Sequence, residues 1–354
     1  MNRTGQDKIC DTEEPKRIPL IIDTDPGDDD AASIMWAIAS NKFDVKALTI
    51  THGNVGLDKC AVNALRVLEV CNRIDIPVYK GAWKPLIFPL FDASWIHGED
   101  GLGDVGFPLP ENSVSDGYAP LEMIRIAKES TEPITILALG PITNVALAIL
   151  IEKEFIKKVK KIVFMGGAVC VPGNTSPGAS FNVAVDPHAA KIVYNSGIPV
   201  VQIGLDVCDR VTQRWDDLEE IAKAKTPVTD FLVRMMEFRK TARRIIRNDE
   251  GEIVRIVSAS EQASRSDSGI GLNDLTATAF LINSNWFKGI DLTMDIEIEG
   301  LTPGRTVPDV MRLWGKESNC FFVNDVDDRA LVSQWVKDMK SFCPNINIIL
   351  NGGV

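Results

Sequence analysis

Short apolar runs alternate along this chain with longer stretches of helical period, and that rhythm restricts the fold more than any other feature. The runs at 18–24, 45–51, 76–80, 134–139, 161–165 and 199–205 are rich in Val, Ile and Leu. Segments without a polar face are strands buried on both sides, as in a parallel sheet. Between them, 29–41, 57–73, 119–130, 143–158 and 186–196 carry helical spacing. The repeating unit is therefore β-α-β. It predicts a single large α/β domain over 18–354, with a mainly parallel, Rossmann-like central sheet covered by helices on both faces. A polar extension, 1–17, precedes it. Two stretches break the alternation, 83–118 and 168–184, and loops of that length in a compact domain are either functional or disordered. From 226 to 271 a helical segment, basic around Arg239 to Arg247, runs into a Ser-rich polar stretch. It reads either as a mobile flap or as an exposed helix and linker. A helix after Asp274, a strand at 292–299 and a closing helix at 328–341 complete the pattern.

Parallel sheets bind ligands at the carboxyl ends of their strands. The residues just after the expected strands are polar and glycine-rich: Thr51-His52-Gly53-Asn54, Gly140-Pro141-Ile142-Thr143-Asn144 and Met165-Gly166-Gly167. The first strand ends in Asp23-Thr24-Asp25-Pro26-Gly27-Asp28-Asp29-Asp30, five carboxylates in eight positions. Ionised together without a cation, these groups would repel one another and raise each other's pKa. Asp25 and Asp30, on either side of the Pro-Gly turn, can reach one ion if the first ends the strand and the second opens the helix. Calcium suits such a loop better than magnesium, because it accepts irregular shells of carboxylate, carbonyl and hydroxyl oxygens. The competing explanation, that the acids complement the dipole of the following helix, covers one or two aspartates and not five.

Composition narrows the partners. A formal net charge of -11 and a pI near 4.9 disfavour nucleic acid and anionic membranes, leaving a small molecule as the expected partner. Seven cysteines without Cys-x-x-Cys spacing read as reduced thiols. With no apolar core of a signal peptide in 1–17, the expected location is cytoplasmic. Three histidines, His52, His97 and His188, are too few for an imidazole-rich zinc site.

An Asp-x-Asp after a first strand also opens the haloacid dehalogenase-type phosphohydrolases, but those enzymes hold magnesium with a separate acidic pair. A further Asp-Asp, at Asp216-Asp217, falls in a helical stretch after Trp215. The whole run from Asp23 to Asp30 more closely resembles the opening signature of the nucleoside hydrolases, calcium-dependent enzymes that split nucleosides into ribose and base. The likeness continues in order through Thr51 to Asn54, Ile96-His97-Gly98-Glu99-Asp100-Gly101-Leu102-Gly103, Leu139 to Ala146, Met165 to Gly167, Gly173-Asn174, Phe181-Asn182-Val183-Ala184-Val185-Asp186-Pro187 and Asn273-Asp274.

Carried over residue by residue, the resemblance implies calcium held by the side chains of Asp25, Asp30 and Asp274 and by the carbonyl of Leu139. Asp25 is also implied as the general base. Asp29, Asn54, Asn182 and Asp274 are implied to hold the ribose 2′ and 3′ hydroxyls, Asp23 to orient the loop, and Met165 to contact the sugar. A homodimer or tetramer is the implied assembly. Two positions depart from the family pattern. Asn273 stands where members acting on both inosine and uridine have a histidine that protonates the departing base. Ser180, short and uncharged, stands where a glutamate usually meets the 5′ hydroxyl, so recognition of that hydroxyl is expected either to be looser or to depend on Asn174 and water. His97 occupies the other family histidine position. A purine offers N7 and a broad face to an aromatic ring, so Trp95 or Trp215 is expected to assist, and inosine or guanosine is expected before uridine or cytidine. The opposing reading is a protein that keeps the sugar and calcium pocket but has lost turnover.

Overall fold

The computed structural model describes residues 16–240, 243–247, 253–258 and 269–344. The first fifteen residues of the expected polar extension lie outside them.

Eight strands form the central sheet: β1 (Ile18–Thr24), β2 (Phe43–Ile50), β3 (Val78–Lys80), β4 (Ile134–Ala138), β5 (Val159–Met165), β6 (Val200–Ile203), β7 (Phe287–Leu292) and β8 (Cys320–Val326). Their spatial order is β7-β8-β6-β5-β4-β1-β2-β3. Neighbours from β8 to β3 run parallel, and only the edge strand β7 is antiparallel, against β8. Alternating residues of β1 feed two separate cores: Leu20 and Ile22 pack with Trp36 and Trp335, whereas Ile21 packs with Met123, Val145 and Tyr194. Side chains of a strand point alternately to opposite faces, so both faces are covered. The single domain is an α/β sandwich of helix, sheet and helix.

Strand order reverses at β1. The chain leaves β1 toward β2 and β3 on one side, then returns to β4 on the other and continues outward. The crevice at such a reversal is where α/β sheets bind ligands. The pairing of Asp23 with Ala138 carries Asp25 beside Gly140, just past the ends of β1 and β4.

The longer helices are α1 (Asp28–Ala39), α2 (Leu57–Val70), α3 (Ala119–Glu129), α4 (Thr143–Ile151), α5 (Pro187–Tyr194), α6 (Trp215–Ala222), α7 (Pro227–Glu237), α8 (Asn273–Ile282) and α9 (Asp328–Ser341). Gly27 caps α1, its N–H donating to Asp30 Oδ2 at 3.0 Å. Small residues let α1 and α8 approach closely. Ser33 Oγ donates to the Asp274 carbonyl at 3.0 Å and lies 2.5 Å from Thr278 Oγ1. That helix pair, joined across 241 positions of sequence, carries Asp274 to the acidic loop.

Four expectations need correction. The helix expected over 143–158 is two, Thr143–Ile151 and Phe155–Lys158, separated at Glu152, where the backbone turns extended. The segment expected to be helical from 226 stays so only through Glu237. A 3-10 turn follows at Phe238–Lys240, then an antiparallel hairpin of Arg243–Arg247 with Ile253–Ser258. Its Ile and Val residues have the β-branched stems that strands favour, and the arginines masked that signal. The flap stretch 259–268 lies outside the described residues. The strand expected at 292–299 is divided between β7 and a ribbon of Met294–Ile296 with Thr306–Pro308. β8 was not anticipated, because its seven residues follow a long turn-rich stretch and resemble an isolated edge. Among the described residues no helix is long and apolar enough to cross a membrane, and six cysteines are free.

Candidate active site

Six aspartates, Asp23, Asp25, Asp28, Asp29, Asp30 and Asp274, are buried together at the strand ends. Asn54, delivered by the loop after β2, ties the loop to itself. Its backbone N–H donates to Asp25 Oδ2 at 2.7 Å, while its side-chain amide donates to the Asp25 carbonyl at 3.0 Å and to Asp30 Oδ2 at 2.8 Å. Thr24 Oγ1 donates to Asp30 Oδ1 at 2.5 Å. The other oxygen of Asp25, Oδ1, is buried without a hydrogen-bond partner. Deeper in the sheet, Asp23 accepts from Thr49 Oγ1 at 2.8 Å and Asn144 Nδ2 at 2.9 Å, and so braces the loop from below.

The charges within this group are not equivalent. Burial pushes the Asp25 carboxyl well above the usual carboxylate range, and repulsion from Asp30 adds to the rise. Asp274 is pushed up in the same way, by burial first and then by Asp30, Asp29 and Asp25. Burial takes Asp23 to about 7 despite its two donors. Asp28 behaves oppositely. Burial works against its ionised form, but the Arg239 guanidinium and His97 outweigh it and hold the carboxyl well below its ordinary value. His97 Nδ1 lies 2.8 Å from Asp28 Oδ1, and Arg239 grips both Asp28 oxygens, with Nε at 2.5 Å from Oδ2.

Carboxylate oxygens of Asp29, Asp30 and Asp274 all lie within 4.8 Å of one another. An all-oxygen set of three buried carboxylates, two of them raised in pKa by burial, fits a hard divalent cation. The unpartnered Oδ1 of Asp25 points the same way, since a buried carboxylate oxygen without a donor is costly unless a cation or proton faces it. The resemblance implied Asp25, Asp30 and Asp274. The close trio exchanges Asp25 for Asp29, while Asp25 lies near enough to raise Asp274.

A cleft opens above the acids. Among its lining residues are Asn54, Trp95, His97, Met165, Asn182 and Asn273, together with Asp29, Leu139, Asn174 and Asp274. Asn182 Nδ2 donates to the Leu139 carbonyl and, at 2.9 Å, to the Met165 carbonyl, which fixes the ends of β4 and β5 on one side of the cleft. Asn174 Oδ1 accepts from the Phe181 N–H at 2.8 Å. Asp25 and Asp30 form the layer beneath and are not in the lining. Ser180 is not in it either, because its Oγ accepts from the Gly167 N–H at 2.7 Å. Trp215 stands apart, with Lys240 Nζ 4.9 Å from its ring centroid. Asp217 caps α6 by accepting from the Arg214 N–H at 2.9 Å, away from the cleft, which removes the second acidic pair a phosphohydrolase would need.

Sequence reasoning passed over Arg239 as part of a basic stretch. The structure lines the cleft with it. A lone arginine in a charged run gives no local signal of burial; the clue available was the surplus of acid, which leaves Asp28 in want of a cation.

A family model, the inosine-uridine preferring nucleoside hydrolases, matches residues 20–333. The chain belongs to that family. Similar proteins agree along nearly the whole length. The pyrimidine-specific ribonucleoside hydrolase RihA of Klebsiella pneumoniae (strain 342) is 37% identical over 316 residues, covering 89% of this chain and 96% of its own. RihA of Escherichia coli (strain K12) is 36% identical, covering 92% and 99%. Among solved structures, the purine-preferring ribonucleoside hydrolase from Gardnerella vaginalis superposes with a TM-score of 0.82 at 28% identity, covering 92% of this chain and 98% of that one. The plant nucleoside hydrolase PpNRh1 gives 0.82 at 29%, covering 92% and 100%. This nucleoside hydrolase is thus an enzyme whose buried acids meet at the strand ends of a family fold.

Proposed function

We propose that the enzyme hydrolyses the N-glycosidic bond of ribonucleosides with calcium in its acidic site, giving ribose and free base for nucleoside salvage in the cytoplasm. One observation carries the reading: three carboxylates close enough to share an ion lie beside Asp25, whose Oδ1 has no partner, at the floor of the cleft. When bound, calcium supplies an anchor for the vicinal diol of the ribose and for a water molecule.

The chain's own residues do the rest. Asp25 takes the proton of the attacking water, with Oδ2 held by the Asn54 N–H and Oδ1 left without a hydrogen-bond partner. A carboxyl raised by burial is a stronger base than an ordinary aspartate, which suits that task. Asp29, Asn54, Asn182 and Asp274 orient the sugar hydroxyls. The ring passes through an oxocarbenium-like state, and the surrounding carboxylates stabilise its developing positive charge.

Two observations bear on the base. Trp95 in the cleft and Asn273 in place of an acid support purine nucleosides, as does the likeness to the purine-preferring Gardnerella enzyme. The pyrimidine reading draws on the higher identity to the RihA proteins. Turnover on inosine, guanosine, adenosine, uridine and cytidine decides between them.

Reducing-sugar release from inosine and uridine with calcium tests the enzyme reading; tight nucleoside binding without ribose release would leave a binding protein instead. Asp25→Asn is expected to cost at least about 100-fold in turnover. Excess chelator is expected to abolish activity, and full activity in its presence would end the case for a metal-held diol.

A further inference from the structure

The departing base is the part of this reaction for which the residues above provide least. Asn273 has no acidic proton to transfer, and His97 has one ring nitrogen engaged by Asp28 at 2.8 Å. Arg239, in the wall of the same cleft, is a permanent cation whose side chain is only 8% exposed. Nε and Nη2 both grip Asp28, and Nη2 also lies 3.4 Å from Asp29 Oδ1 and 3.3 Å from His97 Nδ1. Nη1, with its two N–H groups, has no hydrogen-bond partner among the described residues. The two-point grip on Asp28 fixes the guanidinium plane, so the direction of Nη1 is set before any ligand enters.

We propose that Arg239 is a catalytic residue at the leaving-group end of the cleft, donating from Nη1 to the departing base. The inference rests on the nucleoside hydrolase reading. As the C1′–N bond breaks, its electron pair stays on the base nitrogen and spreads to a ring carbonyl oxygen or a second ring nitrogen. The water oxygen bonds to C1′ and its proton passes to Asp25. The base therefore leaves as an anion. Arg239 keeps its proton and stabilises that anion by a charge-assisted hydrogen bond, after which solvent protonates the free base. The geometry also explains the acid that the metal does not need: Asp28 serves as the mount for Arg239.

A purely structural Arg239, neutralising Asp28 and nothing more, makes a different prediction about leaving groups. The test compares wild type, Arg239→Met and Arg239→Lys on inosine, on uridine and on 4-nitrophenyl β-D-ribofuranoside, whose phenolate departs without help. Removing one donor aimed at developing charge costs about 10²–10³ in kcat. Arg239→Met is therefore expected to lose about 100-fold on the better nucleoside and less than about 5-fold on the nitrophenyl riboside, with Arg239→Lys intermediate. Each variant is compared with itself on two substrates, so partial unfolding cancels from the ratio. Equal losses on both substrates, or none on either, would overturn the proposal. Wild type that cleaves neither kind of substrate would overturn instead the hydrolase reading beneath it.

Discussion

Replacing Gly140 with alanine probes how closely the reaction depends on the position of Asp25. Gly140 follows Leu139 at the end of β4, and a methyl group there would lie 2.8 Å from Asp25 Cγ and 2.9 Å from Thr51 Cγ2. Carbon atoms in contact ordinarily sit about 3.5–4.0 Å apart. The deficit is thus roughly 1 Å, and nothing nearby yields easily: Asp25 is 1% exposed and tied to the Asn54 N–H at 2.7 Å. The carboxylate, the Leu139 carbonyl or both must move by about that distance. A misplacement of about 1 Å at a reacting group costs about 100-fold in rate, while overpacking a core costs about 1–3 kcal/mol in stability. The assay is kcat on the preferred nucleoside, measured well below the unfolding midpoint, beside calcium titration and calorimetric unfolding. A Gly140→Ala enzyme that loses stability in that range but turns over within about threefold of wild type would refute the placement of the base at Asp25.

Further outcomes follow from the same structure. Burial lowers the pKa of His52 to about 4, and its Nε2 lies 3.1 Å from Thr143 Oγ1. The unfolded chain takes up this proton below about pH 6.5 and the folded one only near 4, so stability is intact above 6.5 and declines as pH falls between them, by about 3 kcal/mol in all. Unfolding curves at several pH values for wild type and His52→Gln should diverge in that window; parallel curves would show that His52 is not held neutral. Asp274→Asn removes one charge from the close trio and should weaken calcium binding by at least about tenfold in a calorimetric titration. Unchanged affinity would remove Asp274 from the metal set. Calcium at about 100 times its dissociation constant should raise the stability of the wild-type enzyme by about 2.7 kcal/mol, and no shift in the unfolding midpoint would contradict an ion held by the folded state alone.

Much of the site was readable before the fold was known because its parts are local. Asp23 to Asp30, Thr51 to Asn54 and Leu139 to Asn144 each follow a buried strand directly, so the rule that parallel sheets bind ligands at strand ends brings them together without coordinates. Asn182 and Asn273-Asp274 were found through the ordered resemblance and not through physical pattern. Ser180 shows the limit: its identity was plain, but only the fold reveals a hydroxyl turned to the Gly167 N–H. Trp215 and Trp95 looked alike as aromatic candidates, yet one lines the cleft and the other lies beneath Lys240. The hairpin after Lys240 was misread because arginines at 243, 244 and 247 suggested an exposed helix, whereas β-branched neighbours paired as strands.

By itself the sequence determined the layered α/β sheet, whose apolar runs admit no exposed face, and the crowding of five acids that a cation would relieve, since Coulomb repulsion follows from their spacing alone. Which acids stand close enough to share a cation, and which one Arg239 takes, was decided by tertiary structure. The α1–α8 pairing brings Asp274 to Asp30, and the turn after α7 brings Arg239 across 211 positions to Asp28. No local periodicity records such meetings, because they depend on how whole helices pack and not on the residues beside them.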